Sequence, residues 1–150
     1  MTEIKKIATR DAYGKALAEL AKENSNIFVM DADLSQSTKS VEFAKVCPER
    51  FVNAGIAEGN MIGVAAGLAA MGKTVFASSF AVFVTGRAFE QIRNSVCYPR
   101  LNVKVAGSHS GITVGEDGGT HQAIADISLM RSLPNMTVLV PADATATRWM

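Results

Sequence analysis

The chain has 150 residues, of which 48% are apolar and 19% charged. That length suits one domain with a hydrophobic core of its own, and the composition excludes a disordered chain. The formal charge of +1 comes from 15 basic and 14 acidic side chains that are well mixed, so there is no electrostatic footprint for nucleic acid or an anionic membrane.

Ala12, Tyr13, Ala16, Leu17, Leu20 and Ala21 recur at helical spacing behind Thr9, the candidate N-cap, and Asn24-Ser25 ends that helix. Residues 27–30 read as a short buried strand. A polar loop over 31–38 leads into a short helix ending near Cys47-Pro48, and 51–53 is a second strand. Small residues over 59–71 predict a helix closed by Gly72. A third strand over 74–78 precedes a long helix from about 80 to 98, and 103–106 is a fourth strand. A glycine-rich loop spans 107–120, 121–133 is helical, and 137–140 is a fifth strand. Pro141-Ala142 and Asp143, a candidate cap, open a final helix that runs only to Trp149-Met150. It reads as the cut-short start of a longer architecture or as a short helix docked by Trp149.

Strands alternating with helices, and apolar along nearly their whole length, predict an α/β fold: a three-layer, doubly wound parallel sheet over residues 1–150. Cys47 and Cys97 stand far apart with no CxxC pairing and read as buried structural thiols. No secretory signal is visible at the N-terminus, and the apolar stretch 61–70 is too short to span a bilayer. The expectation is a soluble cytoplasmic protein.

In such sheets ligands bind beyond the carboxyl ends of the strands. Segments 31–37, 53–60, 79–83 and 107–121 fall there and contain both histidines. Glu58 stands at a helix start just after a strand, where an acid commonly pairs with the helix dipole. Gly59, Gly63 and Gly67 follow on one face; each interior glycine costs about 1 kcal/mol relative to alanine, so close approach by a neighbour, a ligand or a second subunit is expected. Phe80 and Phe83 share a face at the start of the long helix, as core residues or as a platform for a flat ligand. The stretch SHSGITVGEDGGTHQ carries His109, Glu116, Asp117 and His121. Its spacing is not that of a helical metal site, and it lacks the lysine and hydroxyl of a phosphate-binding loop. A polar, hydroxylated substrate suits His109, Asp117 and His121 better; a solvated loop is the alternative.

The stretches ATRDAYG (8–14), DADLSQS (31–37), SSFAVF (78–83), GEDGGTHQ (115–122), GIAEGNMIGVAAGLA (55–69) and LPNMTVLVPAD (133–143) together resemble the pyrimidine-binding domain of transketolase. The resemblance covers nearly the whole chain and is greatest to the separate C-terminal subunit of split transketolases. It implies transfer of a two-carbon ketol unit between phosphosugars in the pentose phosphate pathway, with thiamine diphosphate as cofactor. Glu58 would then hydrogen-bond the aminopyrimidine ring, because a carboxyl group shielded from water readily shares a proton with a ring nitrogen. Phe83 would stack on the pyrimidine with Phe80 beside it, and Asp33 and Leu34 would lie near the cofactor. Arg10, Ser37 and His109 resemble contacts to the substrate phosphate. Asp117 and His121 resemble contacts to substrate oxygens; His109 and His121 join Glu58 as the catalytic set. Gly59, Gly86 and Gly119 depart from residues frequent in relatives.

The family holds the diphosphate and Mg²⁺ through a GDG motif and a downstream asparagine in a different domain. This chain has neither that motif nor the family's third domain, so the resemblance implies that it binds no metal itself. It also implies an N-terminal partner subunit, a homo- or hetero-oligomer, and an isolated chain that is inactive. The alternatives are deoxyxylulose-phosphate synthase, the beta subunit of a decarboxylating dehydrogenase, a transketolase for a branched sugar, or a non-catalytic assembly module.

Overall fold

The computed structural model describes residues 6–150; the first five positions of the expected domain lie outside the described residues. Helix α1 (Thr9–Glu23) leads to strand β1 (Ile27–Asp31). Two short helices, α2 (Ser35–Thr38) and α3 (Val41–Val46), connect it to β2 (Phe51–Asn53). Helix α4 (Glu58–Ala70) precedes β3 (Thr74–Phe80), α5 (Ala81–Arg87), α6 (Phe89–Gln91) and a π-helical segment at Ile92–Cys97. Strand β4 (Val103–Ser108), α7 (Asp126–Arg131) and α8 (Ala144–Trp149) complete the order.

The sheet is parallel throughout, in the order β2-β1-β3-β4. From β1 the chain winds outward to β2, then crosses back to β3 on the other side. The switch point therefore lies beyond the carboxyl ends of β1 and β3, where open sheets of this kind form their binding crevice. Alternation along the strands divides the core in two. Ile27 and Val29 pack with Leu17 and Ala21 of α1 and Phe43 of α3. Met30, Val75 and Ala77 pack with Met61, Ile62 and Ala65 of α4 and Ile92 beyond α6. Helices on both faces make the α/β, three-layer, doubly wound arrangement.

Several local expectations change. Ala8, not Thr9, occupies the N-cap of α1 and supplies no side-chain cap; its carbonyl accepts from Asp11 and Ala12. Phe80 ends β3 in register with Ser108 instead of opening a helix, and the long helix is broken at Ala88. Thr85 donates its hydroxyl to the Ala81 carbonyl at 2.7 Å, a back-bond that bends helices. The helix expected over 121–133 starts only at Asp126, because the Ala123 backbone is paired with Gly111 through two hydrogen bonds. Residues 137–140 do not join the sheet. Val138 packs on the core, but Leu139 and Val140 stay exposed, and the free edge of β4 faces a cavity of about 1020 Å³. An apolar run marks burial; only lateral backbone partners make it a strand.

Asp143 caps α8 as expected, accepting from the Ala146 N–H at 2.7 Å. Trp149 is 85% exposed and does not dock the helix; an Arg148–Glu19 ion pair links α8 to α1 instead. Both cysteines are buried and free. Gly14 meets the Lys39 carbonyl so closely that a Cβ there would lie 2.5 Å from it, which locks α1 against the end of α2. Gly59 lies against the Gln91 amide, but Gly63 and Gly67 have nothing within 4 Å, so packing inside the domain does not explain them. Among the described residues, no helix is long and apolar enough to cross a membrane.

Candidate functional site

The polar ends of β1 and β3 are organised first by Asp31. Its buried carboxylate accepts from the Leu34 N–H at 2.6 Å and from the hydroxyls of Thr38 and Ser40 at 2.7 and 2.8 Å. Burial pushes its pKa up, and those hydrogen bonds pull against the rise. The following Asp33 adopts a left-handed backbone, φ 66°, and exchanges hydrogen bonds of 3.1 Å with the Asn53 amide. Asp33, Leu34 and Ser37 thus lie on one fixed turn at the end of β1. Among the described residues, no side-chain hydrogen bond ties them to the ring cluster below. On the α1 side of β3, Tyr13 and Ser78 share a hydrogen bond of 2.8 Å, and burial drives the Tyr13 phenol well above its ordinary value.

Glu58 is the first residue of α4, where the helix dipole favours a carboxylate, and its side chain is only 2% exposed. Arg87, the last residue of α5, bridges both carboxylate oxygens with Nη1 at 3.1 and 3.3 Å. The same guanidinium lies 4.4 Å above the Phe83 ring, a cation–π distance. Sequence reasoning missed Arg87. Its one local signal is the spacing of four from Phe83, which puts both on one helix face.

The aromatic residues gather beside this pair. The Phe80 and Phe83 rings are parallel within 5° at a centroid distance of 6.0 Å, despite lying on a strand end and a helix. His109 stacks on Phe80 at 4.0 Å, and His121 meets Phe83 edge-on at 5.1 Å. Two backbone features deliver the histidines: His109 takes a left-handed φ of 55° directly after β4, and His121 ends a 3₁₀ turn at Gly118–His121. Thr120 Oγ1 lies 2.9 Å from His121 Nδ1 and orients that ring.

Arg10, at the start of α1, reaches His109 Nε2 at 3.1 Å. Burial, then the Arg10 charge, lowers the His109 pKa, while the Asp117 carboxylate works in the other direction. Arg10 and His109 also line the cavity between α1 and β4; Glu58 and Phe83 do not. The arrangement therefore brings together Glu58, Phe80, Phe83, His109, His121 and Arg10, with Asp117 near His109. Among the described residues, no group of three or more His, Cys, Asp or Glu side chains is placed to hold a metal ion.

The family model for the transketolase pyrimidine-binding domain matches residues 5–150. A putative transketolase C-terminal section from Methanocaldococcus jannaschii is 59% identical over 139 residues, covering 93% of this chain and 44% of that protein. The 6-deoxy-6-sulfo-D-fructose transketolase subunit SqwH of a Clostridium species is 46% identical, covering 93% of this chain and 43% of its own length. A solved split-gene transketolase, an inactive beta4 tetramer, superposes with a TM-score of 0.82 at 63% identity, covering 96% of this chain and 46% of that one. The chain spans less than half the length of each.

Proposed function

The chain belongs to the transketolase family, within its pyrimidine-binding domain, and from that premise we propose that it supplies the aminopyrimidine half of a thiamine-diphosphate site for ketol transfer. The observation that carries this reading is the Glu58–Arg87–Phe83 arrangement. A planar N–H donor already sits on a buried carboxylate and over an aromatic face. That is the donor and stacking demand of an aminopyrimidine, so the residues present fit the group. Bound, thiamine diphosphate supplies the electron sink that allows a carbon–carbon bond beside a carbonyl to break.

The chain's own residues then have separate tasks. Glu58 holds and shares a proton with the pyrimidine ring; the water-poor surroundings strengthen that contact. Phe83 stacks on the ring, Phe80 backs it, and Asp33 and Leu34 border the cofactor from the end of β1. Arg10, Ser37 and His109 bind the substrate anion: Arg10 with a charge, the neutral imidazole as a hydrogen-bonding partner. Asp117 and His121 contact substrate hydroxyl and carbonyl oxygens, and His109 and His121 move protons there. The diphosphate and Mg²⁺ belong to an N-terminal partner subunit, in a cytoplasmic oligomer that the chain needs for activity.

The test is reconstitution with the cognate diphosphate-binding subunit, comparing wild type with Glu58→Gln. Loss of a positioned acid–base group lowers ketol transfer by about 10²–10⁴-fold. Full activity in the variant would sink the assignment, and a well-formed complex that binds no thiamine diphosphate would leave an assembly module instead.

A second donor class has a specific support, the similarity to a transketolase subunit named for a sulfonated sugar. Arg10 beside His109 suits a sulfonate as well as a phosphate. Assays with xylulose 5-phosphate, 6-deoxy-6-sulfo-D-fructose and pyruvate as donors separate these two readings from the decarboxylating relatives.

A further inference from the structure

Arg87 occupies ground that the proposed cofactor needs. Its Nη1 spans both oxygens of Glu58, and its guanidinium carbon lies over the Phe83 ring, 4.4 Å from the centroid. A pyrimidine ring that hydrogen-bonds Glu58 and stacks on Phe83 requires the same oxygens and the same ring face. Two planar groups cannot share them.

We infer that Arg87 is a latch on the pyrimidine place, closed over Glu58 and Phe83 in the free chain and swung out when thiamine diphosphate enters. This rests on the cofactor reading above and adds a residue that opposes binding until it moves. The physical logic starts with Glu58. A carboxylate only 2% exposed is costly without a counter-cation, and Arg87 is the cation placed on it. The latch is also built to open. The Arg87 side chain is 54% exposed, so the guanidinium has a direct path to water. Arg87 is the last residue of α5, and Ala88 after it has left helical geometry (φ −102°, ψ 14°). A Cβ on the preceding Gly86 would meet nothing within 4 Å, so the space beside that residue is open. Once a ring nitrogen takes over the partnership with Glu58, the arginine is free to hydrate.

An ion pair open to water on its Arg87 side and a cation–π contact that must be broken before binding together amount to about a tenfold penalty on affinity. The experiment is calorimetric titration of thiamine diphosphate, with Mg²⁺, into the complex with the cognate diphosphate-binding subunit. Wild type, Arg87→Met and Arg87→Gln are compared, with assembly of each complex checked by sedimentation. The latch predicts that Arg87→Met and Arg87→Gln bind about tenfold more tightly than wild type. If wild type binds and both variants bind equally or more weakly, Arg87 is no latch, and the cofactor reading survives. If the complexes form and none binds, both ideas fall together.

A measurement on wild type covers the case in which the variants do not assemble. Arginine-specific modification by phenylglyoxal, read at Arg87 by peptide mass spectrometry, is compared without and with saturating thiamine diphosphate. A released latch becomes more reactive when the cofactor is present. An arginine that holds the cofactor becomes less reactive, and that result, or no change, overturns the proposal.

Discussion

Nη1 of Arg10 lies 3.1 Å from Nε2 of His109, and because a guanidinium can only donate, the imidazole must accept at Nε2. The ring proton then sits on Nδ1, which is 2.9 Å from Ser108 Oγ and donates to it. One contact between α1 and the end of β4 thus selects the neutral tautomer of a residue proposed to meet the substrate anion. An incoming phosphate or sulfonate competes with His109 for Arg10.

The charge state of His109 follows from the same neighbours. Burial is the largest cause of its lowered pKa, Arg10 adds to it, and Asp117 opposes it. In an NMR titration its midpoint falls below the ordinary histidine value. Arg10→Met moves the midpoint up, and Asp117→Asn moves it further down. The linkage has a definite sign. The unfolded chain binds the proton more readily, so this group's contribution to stability is present above the ordinary value and is lost as pH falls toward the lowered one. An Arg10→Met variant whose midpoint does not rise would show that Arg10 has no charge coupling to the ring.

Asp31 gives the second prediction. Its carboxylate is the common acceptor for Leu34, Thr38 and Ser40, and this ties the turn carrying Asp33 and Ser37 to the end of β1. Asp31→Ala leaves a half-buried N–H and two buried hydroxyls without this acceptor, a loss of about 2–3 kcal/mol in chemical denaturation. Asp31→Asn keeps an acceptor oxygen and loses less. Because its folded pKa is raised, the Asp31 contribution is fully present below the ordinary carboxylate value and is lost as pH rises through the folded one. Equal destabilisation by alanine and asparagine would mean that a single acceptor oxygen of the same shape does not suffice and that both carboxylate oxygens are needed there.

His109 owes its behaviour to Arg10, 99 positions away, and Asp31 to partners within nine positions, and the same distinction governs what was legible in the sequence. The strands β1 to β4 and Glu58 at a helix start declare themselves through local patterns: apolar runs, and an acid following a strand. The pairing of Glu58 with Arg87 spans 29 positions, and no periodicity encodes it. Phe80 reads as helical because Phe83 lies three residues on, yet its backbone pairs with Ser108 of a strand that comes later in the chain. The run at 137–140 has strand-like composition, but whether it pairs depends on the free edge of β4. Ala123 is held extended by Gly111, a tertiary contact that overrides helical pattern. Local signals therefore locate the carboxylate and the rings, and tertiary contacts decide what touches them.

The glycines of the molecule separate two physical causes within one experiment. Gly63 and Gly67 lie in the interior of α4, where an added Cβ would meet nothing within 4 Å, and neither has a positive φ. Alanine at each position gains helix propensity without a clash, about 0.5–1 kcal/mol per site in the isolated chain. Gly14 is the opposite case: a Cβ would lie 2.5 Å from the Lys39 carbonyl and 2.7 Å from the Lys39 Cβ. Backbone on one side cannot give way easily, so Gly14→Ala destabilises by about 1–3 kcal/mol as α1 and the α2 turn are forced apart. Thermal melts of the isolated chain should rank Gly63→Ala and Gly67→Ala above wild type and Gly14→Ala below it. In the assembled complex the first two carry different information. If α4 packs against another subunit there, the same alanines weaken assembly while still stabilising the free chain, and sedimentation of the variants across a concentration series reads that difference directly. Alanines that destabilise the free chain as well would mean that α4 is held in place by neighbours close to those glycines.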